Sequence, residues 1–435
     1  MNRYRSWGWT PPTTPSVTVP TNANGVLHLL PGYGSTRLGF GNGRSYGDSC
    51  LNSAGELIDT QALDRLIEFD EHNGLLSAEA GITFSAILAV IVPKGWFLPV
   101  SPGTSRITLG GAIANDVHGK NHHADGSFGR FIEQMTLHRS DGSVSILSPT
   151  ANSELFAATI GGLGLTGLIS QATIRLIPIS SAELDVHTEV FYGLDEFCDL
   201  SARFRDSHQY TVSWLDCASS GRQFARGVFL AANHGTTGSL EAPSLKARFT
   251  MPFALPAQLL NRTTVRAFNT LYFHRHRPAT GSVQRQSYPT FFYPLDGIEH
   301  WNRLYGRQGF HQFQFVVPSS EISNLEAILR RIVNSGMGSF LAVLKEFGDI
   351  PSPGLLSFPR PGLCLALDFA ARGHKTTALV HELNETVLAA GGAVYPAKDR
   401  LMSASSFRQY FPAMDAFSRH VDPGFSSDFW RRVST

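Results

Sequence analysis

Gly39–Ser49 reads GFGNGRSYGDS, and Ser101–Gly129 reads SPGTSRITLGGAIANDVHGKNHHADGSFG. Both stretches are too rich in glycine and too irregular for ordinary core. Glycine lets backbone N–H groups approach a ligand that any Cβ would hold off. In the first, glycines alternate with polar side chains, which suits successive N–H groups turned toward a pyrophosphate. In the second, Pro102 and Gly103 make a turn, Gly110 and Gly111 permit close approach, and Asn115, Asp116 and His118 add polar groups. One such loop is often a plain turn. Two in one region predict the walls of a dinucleotide site.

A third glycine run has the wrong context for the usual dinucleotide fold. GGLGLTG carries GxGxxG spacing at Gly162, Gly164 and Gly167, but a helical pattern precedes it and a strand, LISQATIRLIPI, follows. That fingerprint must leave a strand and open a helix whose N-terminus meets the pyrophosphate, so a Rossmann domain is not expected. Nor is there a GK[ST] sequence for nucleoside triphosphates. His118, His122 and His123 in HGKNHH raise the question of zinc. Gly119 and the polar run work against the facing that a helical HxxxH pair provides, so no metal is expected. Hydrogen bonding to a ring or phosphate, with charge from Lys120, is the alternative.

The chain has 435 residues, enough for two or three domains with proper cores. With 36 Lys and Arg against 35 Asp and Glu, the balance speaks against nucleic acid as main partner. Cys50, Cys198, Cys217 and Cys364 show no CxxC spacing and fit a reducing compartment. No signal peptide or membrane-spanning window is seen, so the expected location is cytoplasmic, or peripheral on the inner membrane. After the proline-rich PPTTP, the region to about Ile179 is strand-rich. It has hairpin turns at Asn73-Gly74 and Asp141-Gly142, and short helices in FSAILAVIVPKG and SELFAATIGG. From about Ser180 to Gly392 longer strands and helices alternate, predicting an antiparallel sheet with helices on one face. The tail, SASSFRQYFPAMDAFSRHVDP and FSSDFWRRV, is amphipathic enough to dock back on the first region. Ser239–Pro278 mixes Leu, Phe and Pro with Arg, Lys and His, and lacks acids after Glu241. It reads either as an irregular loop or as a mobile basic and apolar surface for a lipid.

GRSYGD, PGT, LGGAIANDVHGKNHHADGSFG, GLTGLI, WNRLYG, GFHQFQFVVP, LKEFG, LSFPRPG and AKDR occur in that order along nearly the whole chain. In this the sequence resembles the decaprenylphosphoryl-β-D-ribose 2-oxidase family, within the vanillyl-alcohol-oxidase type of FAD-binding proteins. The resemblance implies an α+β, two-domain fold. An FAD-binding domain would span residues 1–180, an antiparallel-sheet substrate domain 181–392, and a C-terminal segment, 393–435, would return to the FAD domain. FAD would be held by Gly39, Phe40, Gly41, Asn42, Gly43, Arg44, Ser45, Tyr46, Gly47, Asp48 and Ser49. From the second loop Gly103, Thr108, Leu109, Gly110, Gly111, Asn115, Asp116, Val117 and His118 would join, with Ile169, Tyr395 and Lys398. Many relatives tether the flavin to a histidine in the first loop; Arg44 stands at the comparable place, which implies non-covalent FAD.

The implied chemistry is oxidation of the 2-hydroxyl of a polyprenyl-phospho-ribofuranose to a ketone, the first half of an epimerisation to the arabinose form. Such a reaction needs a route for the hydroxyl proton and positive charge near the flavin. Lys345, His118, Lys398 and Tyr46 would supply these. Lys120, Tyr293, Gln312, Gln314, Lys345 and Cys364 would bind substrate, the two glutamines facing one side of a strand. A short-chain reductase would finish the epimerisation, a quinone-like carrier would reoxidise the flavin, and the chain is expected as a monomer with peripheral membrane contact. A sugar or alditol oxidase using a soluble substrate and oxygen is the second reading; a flavin-free zinc protein or binding module is the third. Cys364 and Ala366 stand where the best-known branch has asparagine and cysteine, so reagents that arylate that cysteine are expected to fail here.

Overall fold

The computed structural model describes residues 4–9, 15–22, 25–26, 34–256 and 259–435. The proline pair Pro11-Pro12 lies outside them. Strands Ser16–Thr18, Glu56–Asp59 and Arg37–Phe40 form a small parallel sheet, and the first glycine loop leaves the end of Arg37–Phe40. A five-stranded antiparallel sheet follows in the order Leu66–Asp70, Leu75–Glu79, Leu168–Arg175, Ile132–His138, Val144–Leu147. Its two hairpins turn where the sequence places them, with Gly74 at φ 65° and Gly142 at φ 84°, values that favour glycine. Helix Phe84–Ile91 is capped by Thr83, whose hydroxyl accepts from the Ala86 N–H, and after one tight turn the chain leaves through left-handed Gly95.

The largest sheet is antiparallel and eight-stranded. Its order is Ser282–Ser287, Glu183–Tyr192, Arg226–His234, Tyr210–Leu215, Ala342–Phe347, Gly362–Ala370, Phe310–Val317, Ala393–Val394. Register separates its two faces. Phe229, Leu344, Leu365 and Phe315 fall in one cross-strand row and are buried against helices Leu194–Phe204, Ile322–Ser335 and His374–Ala389. Each fully buried Leu or Phe there contributes about 2 kcal/mol. The neighbouring row, Trp214, Val343, Ala366 and Gln314, points the opposite way because successive side chains alternate. Gln312 and Lys345 share that second face.

The tail joins both parts. The N–H of Arg37 donates to Gly424 and that of Ser426 to Arg37, while Arg432 pairs with Asp48 at 2.7 Å and Asp399 at 3.1 Å. Phe407, Phe417 and Phe429 meanwhile enter the core beneath the large sheet.

The irregular course expected over Ser239–Pro278 is corrected in its second half by helix Arg262–His276. Asn261 caps it by accepting from the N–H groups of Thr263 and Thr264, and the Thr264 hydroxyl returns a bond to the Asn261 backbone. Buried polar groups anchor it. Arg226 pairs with Asp216 at 2.9 Å, and the Asn269 amide donates to the same carboxylate at 2.9 Å. Such an anchor leaves no hydropathy pattern. No helix among the described residues is long and apolar enough to cross a membrane.

Candidate active site

A cavity of ≈ 770 Å³ lies between the glycine loops and the free face of the eight-stranded sheet. Gly39, Gly41, Asn42, Gly43, Arg44, Ser45, Tyr46 and Ser49 line it from the first loop. Gly103, Thr108, Gly110, Gly111, Asn115, Val117, His118 and Lys120 line it from the second. Ile169, Tyr395 and Lys398 complete that wall, and Gln312, Gln314 and Lys345 reach in from the sheet. Residues far apart in sequence therefore share one space.

The loop end of the cavity has the character of an anion cradle. Among the described residues, no protein acceptor takes the backbone N–H groups of Asn42, Gly43, Arg44 or Ser45. Gly43 has φ 58°, which turns the chain so that neighbouring N–H groups converge. A Cβ at Gly41 would stand 2.4 Å from the Thr108 hydroxyl, so the two loops approach closely only because that residue is glycine. Ser49 Oγ and Arg44 Nε are buried without a partner. Unpaired buried polar atoms are rare and point to a ligand that satisfies them. Arg44 lies over the Trp7 ring at 4.0 Å, and burial, with Arg106 nearby, lowers its pKa to about 10. These groups fit a dinucleotide pyrophosphate.

The opposite end gathers ionisable groups. Lys398 Nζ stands 3.8 Å from the centre of the Tyr46 ring, and burial lowers its pKa to about 7, against the raising influence of Asp368. Burial likewise takes Lys120 to about 7 and pulls Lys345 down from the usual lysine range. Lys120 donates to the Phe292 carbonyl at 3.1 Å, and Lys345 to that of Gly119 at 3.4 Å. None of the three lysines forms an ion pair among the described residues. His118 is held in place by Gln314, 2.6 Å from Nε2, and by the rings of Phe347, Phe358 and Tyr395. Its Nδ1 is buried without a partner, and burial with nearby Lys345 keeps the ring neutral. Burial, with Asp368 nearby, pushes the Tyr46 hydroxyl well above its ordinary pKa.

Asp368 is the residue the sequence reading missed. It lies in the apolar run GLCLALDFA and reads there as one polar position of a strand. The structure buries it and gives it the Gln312 amide at 2.7 Å and the Tyr305 hydroxyl at 3.1 Å. Burial raises its carboxyl to about 7. Pro or Gly punctuation gave no signal here; only the cross-strand pairing of Gln312 with Asp368 reveals it.

Several sequence-predicted site residues stand behind the cavity wall instead of in it. Phe40 packs against Tyr4, and Leu109 belongs to the core under the second loop. Gly47 is pressed against the Asp399 backbone, and Asp48 receives Arg432. Asp116, buried at φ 39°, accepts from the Gly129 N–H and the Ser357 hydroxyl, so it shapes the second loop. Tyr293 bonds to Ser101 behind the wall. Cys364 is on the cavity face of its strand but lies under Gln314, whose amide donates to its sulfur at 3.4 Å. Ala366 is the residue that reaches the cavity. HGKNHH splits in the same way: His118 lines the cavity, His122 packs on Phe347, and His123 bonds to the His208 carbonyl.

Similarity to known proteins bears on this arrangement. A family model described as an FAD binding domain matches residues 25–148. A decaprenylphosphoryl-beta-D-ribose oxidase of Mycolicibacterium smegmatis is 35% identical over 99% of this chain and 97% of its own. An uncharacterised protein of Streptomyces coelicolor is 34% identical over 81% of this chain and 100% of its own. The human Delta(24)-sterol reductase is 29% identical over 31% of this chain and 26% of its own.

Proposed function

The chain belongs to the decaprenylphosphoryl-β-D-ribose oxidase family and is an FAD-dependent oxidoreductase, and from that premise we propose that it oxidises the 2-hydroxyl of a polyprenyl-phospho-β-D-ribofuranose to the ketone. The observation that carries this reading is the single cavity joining the glycine loops to Gln312, Gln314 and Lys345. In domain terms, residues 1–180 with the returning tail 393–435 bind FAD, and residues 181–392 carry the substrate face.

Bound FAD supplies a two-electron acceptor that can take a hydride from an alcohol carbon. Asn42 to Ser45 and Ser49 would hold its pyrophosphate, and Arg44, unable to form the histidine-type tether, would leave it dissociable. Gln312 and Gln314 orient the sugar hydroxyls. Lys345 and Lys120 meet the phosphate. Lys398 would accept the hydroxyl proton at Nζ while the hydrogen on the same carbon departs with its bonding electron pair to the two-electron acceptor, so one proton and one hydride leave and a carbonyl remains. A base is most effective with its pKa near the working pH, and Lys398, at about 7, is so placed. His118, kept neutral, would offer its unpartnered Nδ1 to the bound ligands.

A short-chain reductase would reduce the ketone to complete the epimerisation, and a quinone-like carrier would take the electrons. The test is mass spectrometry of the lipid-linked sugar after incubation with enzyme and an artificial acceptor. Loss of two hydrogens from the ribose supports the reading. An unchanged ribose, with the acceptor still reduced by free sugars or alditols, supports the soluble-substrate oxidase instead.

A further inference from the structure

The cavity reaches solvent beside one edge of the eight-stranded sheet, where Arg275, Gln284 and Thr290 line it and are themselves exposed. Apolar side chains surround that mouth. Leu271, one helical turn before Arg275, is 70% exposed; Val283, next to Gln284, is 60% exposed; Phe268 is 47% exposed. A single exposed leucine needs no explanation, but a cluster at the rim of a cavity does.

Helix Arg262–His276 cannot rotate to bury them. Its inward face is fixed by Val265, Asn269 and Phe273, with Asn269 and Thr270 bonded to the buried Asp216–Arg226 pair. The stretch that carries this helix and edge strand is one-sided in charge as well, although its Arg285 pairs with Asp185 of the neighbouring strand at 2.9 Å. From Ala242 to Leu295 the sequence has no Asp or Glu, although the whole chain is balanced at 36 bases to 35 acids. Lys246, Arg248, Arg262, Arg266, Arg275 and Arg277 in this stretch are exposed. Apolar side chains interleaved with unopposed bases suit the boundary between acyl chains and anionic headgroups.

We propose that this rim docks on an anionic membrane surface, with Phe268, Leu271 and Val283 entering the acyl boundary and the arginines meeting lipid phosphates. The cavity then opens onto the bilayer. On the reading above, a lipid-linked substrate would pass directly from the membrane to the site; the docking itself is carried by the rim.

Flotation of the full-length holoenzyme with phosphatidylglycerol-containing and pure phosphatidylcholine vesicles tests it. Wild type should float with the anionic vesicles and be released by salt. The Phe268→Glu/Leu271→Glu double variant should lose binding by about tenfold or more, with flavin absorbance and Tm retained. Arg266→Gln provides a second variant that spares the apolar rim, and should weaken binding to anionic vesicles about fivefold. Wild type that stays unbound to anionic vesicles at low salt overturns the proposal, as does undiminished binding by both variants. A solution dimer that Leu271→Glu dissociates, without vesicle binding, assigns the face to a second copy and also overturns it. Turnover of a water-soluble, short-chain phospho-ribose analogue reports the active site separately, so failed docking and failed substrate assignment are told apart.

Discussion

Lys398 carries the proton step in this account, and its surroundings set the pH at which it can do so. Tyr46 lies against it, Asp368 raises its pKa, and Lys345 lowers it. As a base it must be neutral, so kcat/KM should rise with pH through about 7. Lys398→Met should remove that limb and lower kcat by about 10²-fold or more while FAD stays bound. Asp368→Asn deletes the charge that favours the protonated lysine, so the limb should move to lower pH; a shift to higher pH would contradict the coupling. Asp368 also titrates near 7, so the midpoint belongs to the pair and not to either group alone. A second residue-scale prediction concerns Cys364. Burial raises its thiol to about 11 and Gln314 covers it, so the native protein should show no mass shift at Cys364 after exposure to an arylating reagent. Ala366→Cys would place a thiol in the cavity and should become modified.

At the scale of elements, the two glycine loops divide into positions that serve the fold and positions that serve the ligand. A Cβ at Gly47 would fall 1.5 Å from the Asp399 carbonyl, where the backbone cannot yield. Gly47→Ala should therefore cost about 3 kcal/mol and lower Tm even without FAD. Gly103 has nothing within 4 Å of its ideal Cβ and lines the cavity, so Gly103→Ala should leave the Tm of the FAD-free protein unchanged and weaken FAD binding. The sequence distinguished neither role, because glycine content marks close approach without saying what approaches. Hairpins at Asn73-Gly74 and Asp141-Gly142 were legible because both turns need glycine at positive φ. The strands around Gln314 and Lys345 were legible from their alternation. Helix Arg262–His276 was not: its own Asn269 is held by Asp216, which pairs with Arg226, and these two residues are distant in sequence with a burial no local pattern records. Asp368 was hidden for the same reason.

The whole molecule works by closing one cavity from separate parts of the chain. The first loop is locked from behind by the tail, through Asp48 and Arg432, and faced from the front by strands Phe310–Val317, Ala342–Phe347 and Gly362–Ala370. Arg432→Ala would strip Asp48 and Asp399 of their half-buried partner and should cost about 2 kcal/mol, read as a fall in Tm. Acid precipitation should release FAD into the supernatant, since Arg44 forms no tether. The proposed function requires the cavity to match a flavin to a lipid-linked ribose. Following the bound-flavin absorbance band anaerobically, with polyprenyl-phospho-ribose in one cuvette and free ribose or an alditol in the other, tests it most directly. The account predicts rapid bleaching by the lipid-linked sugar and little by the free ones; no bleaching by the lipid-linked sugar, or equally fast bleaching by free sugars, would contradict it.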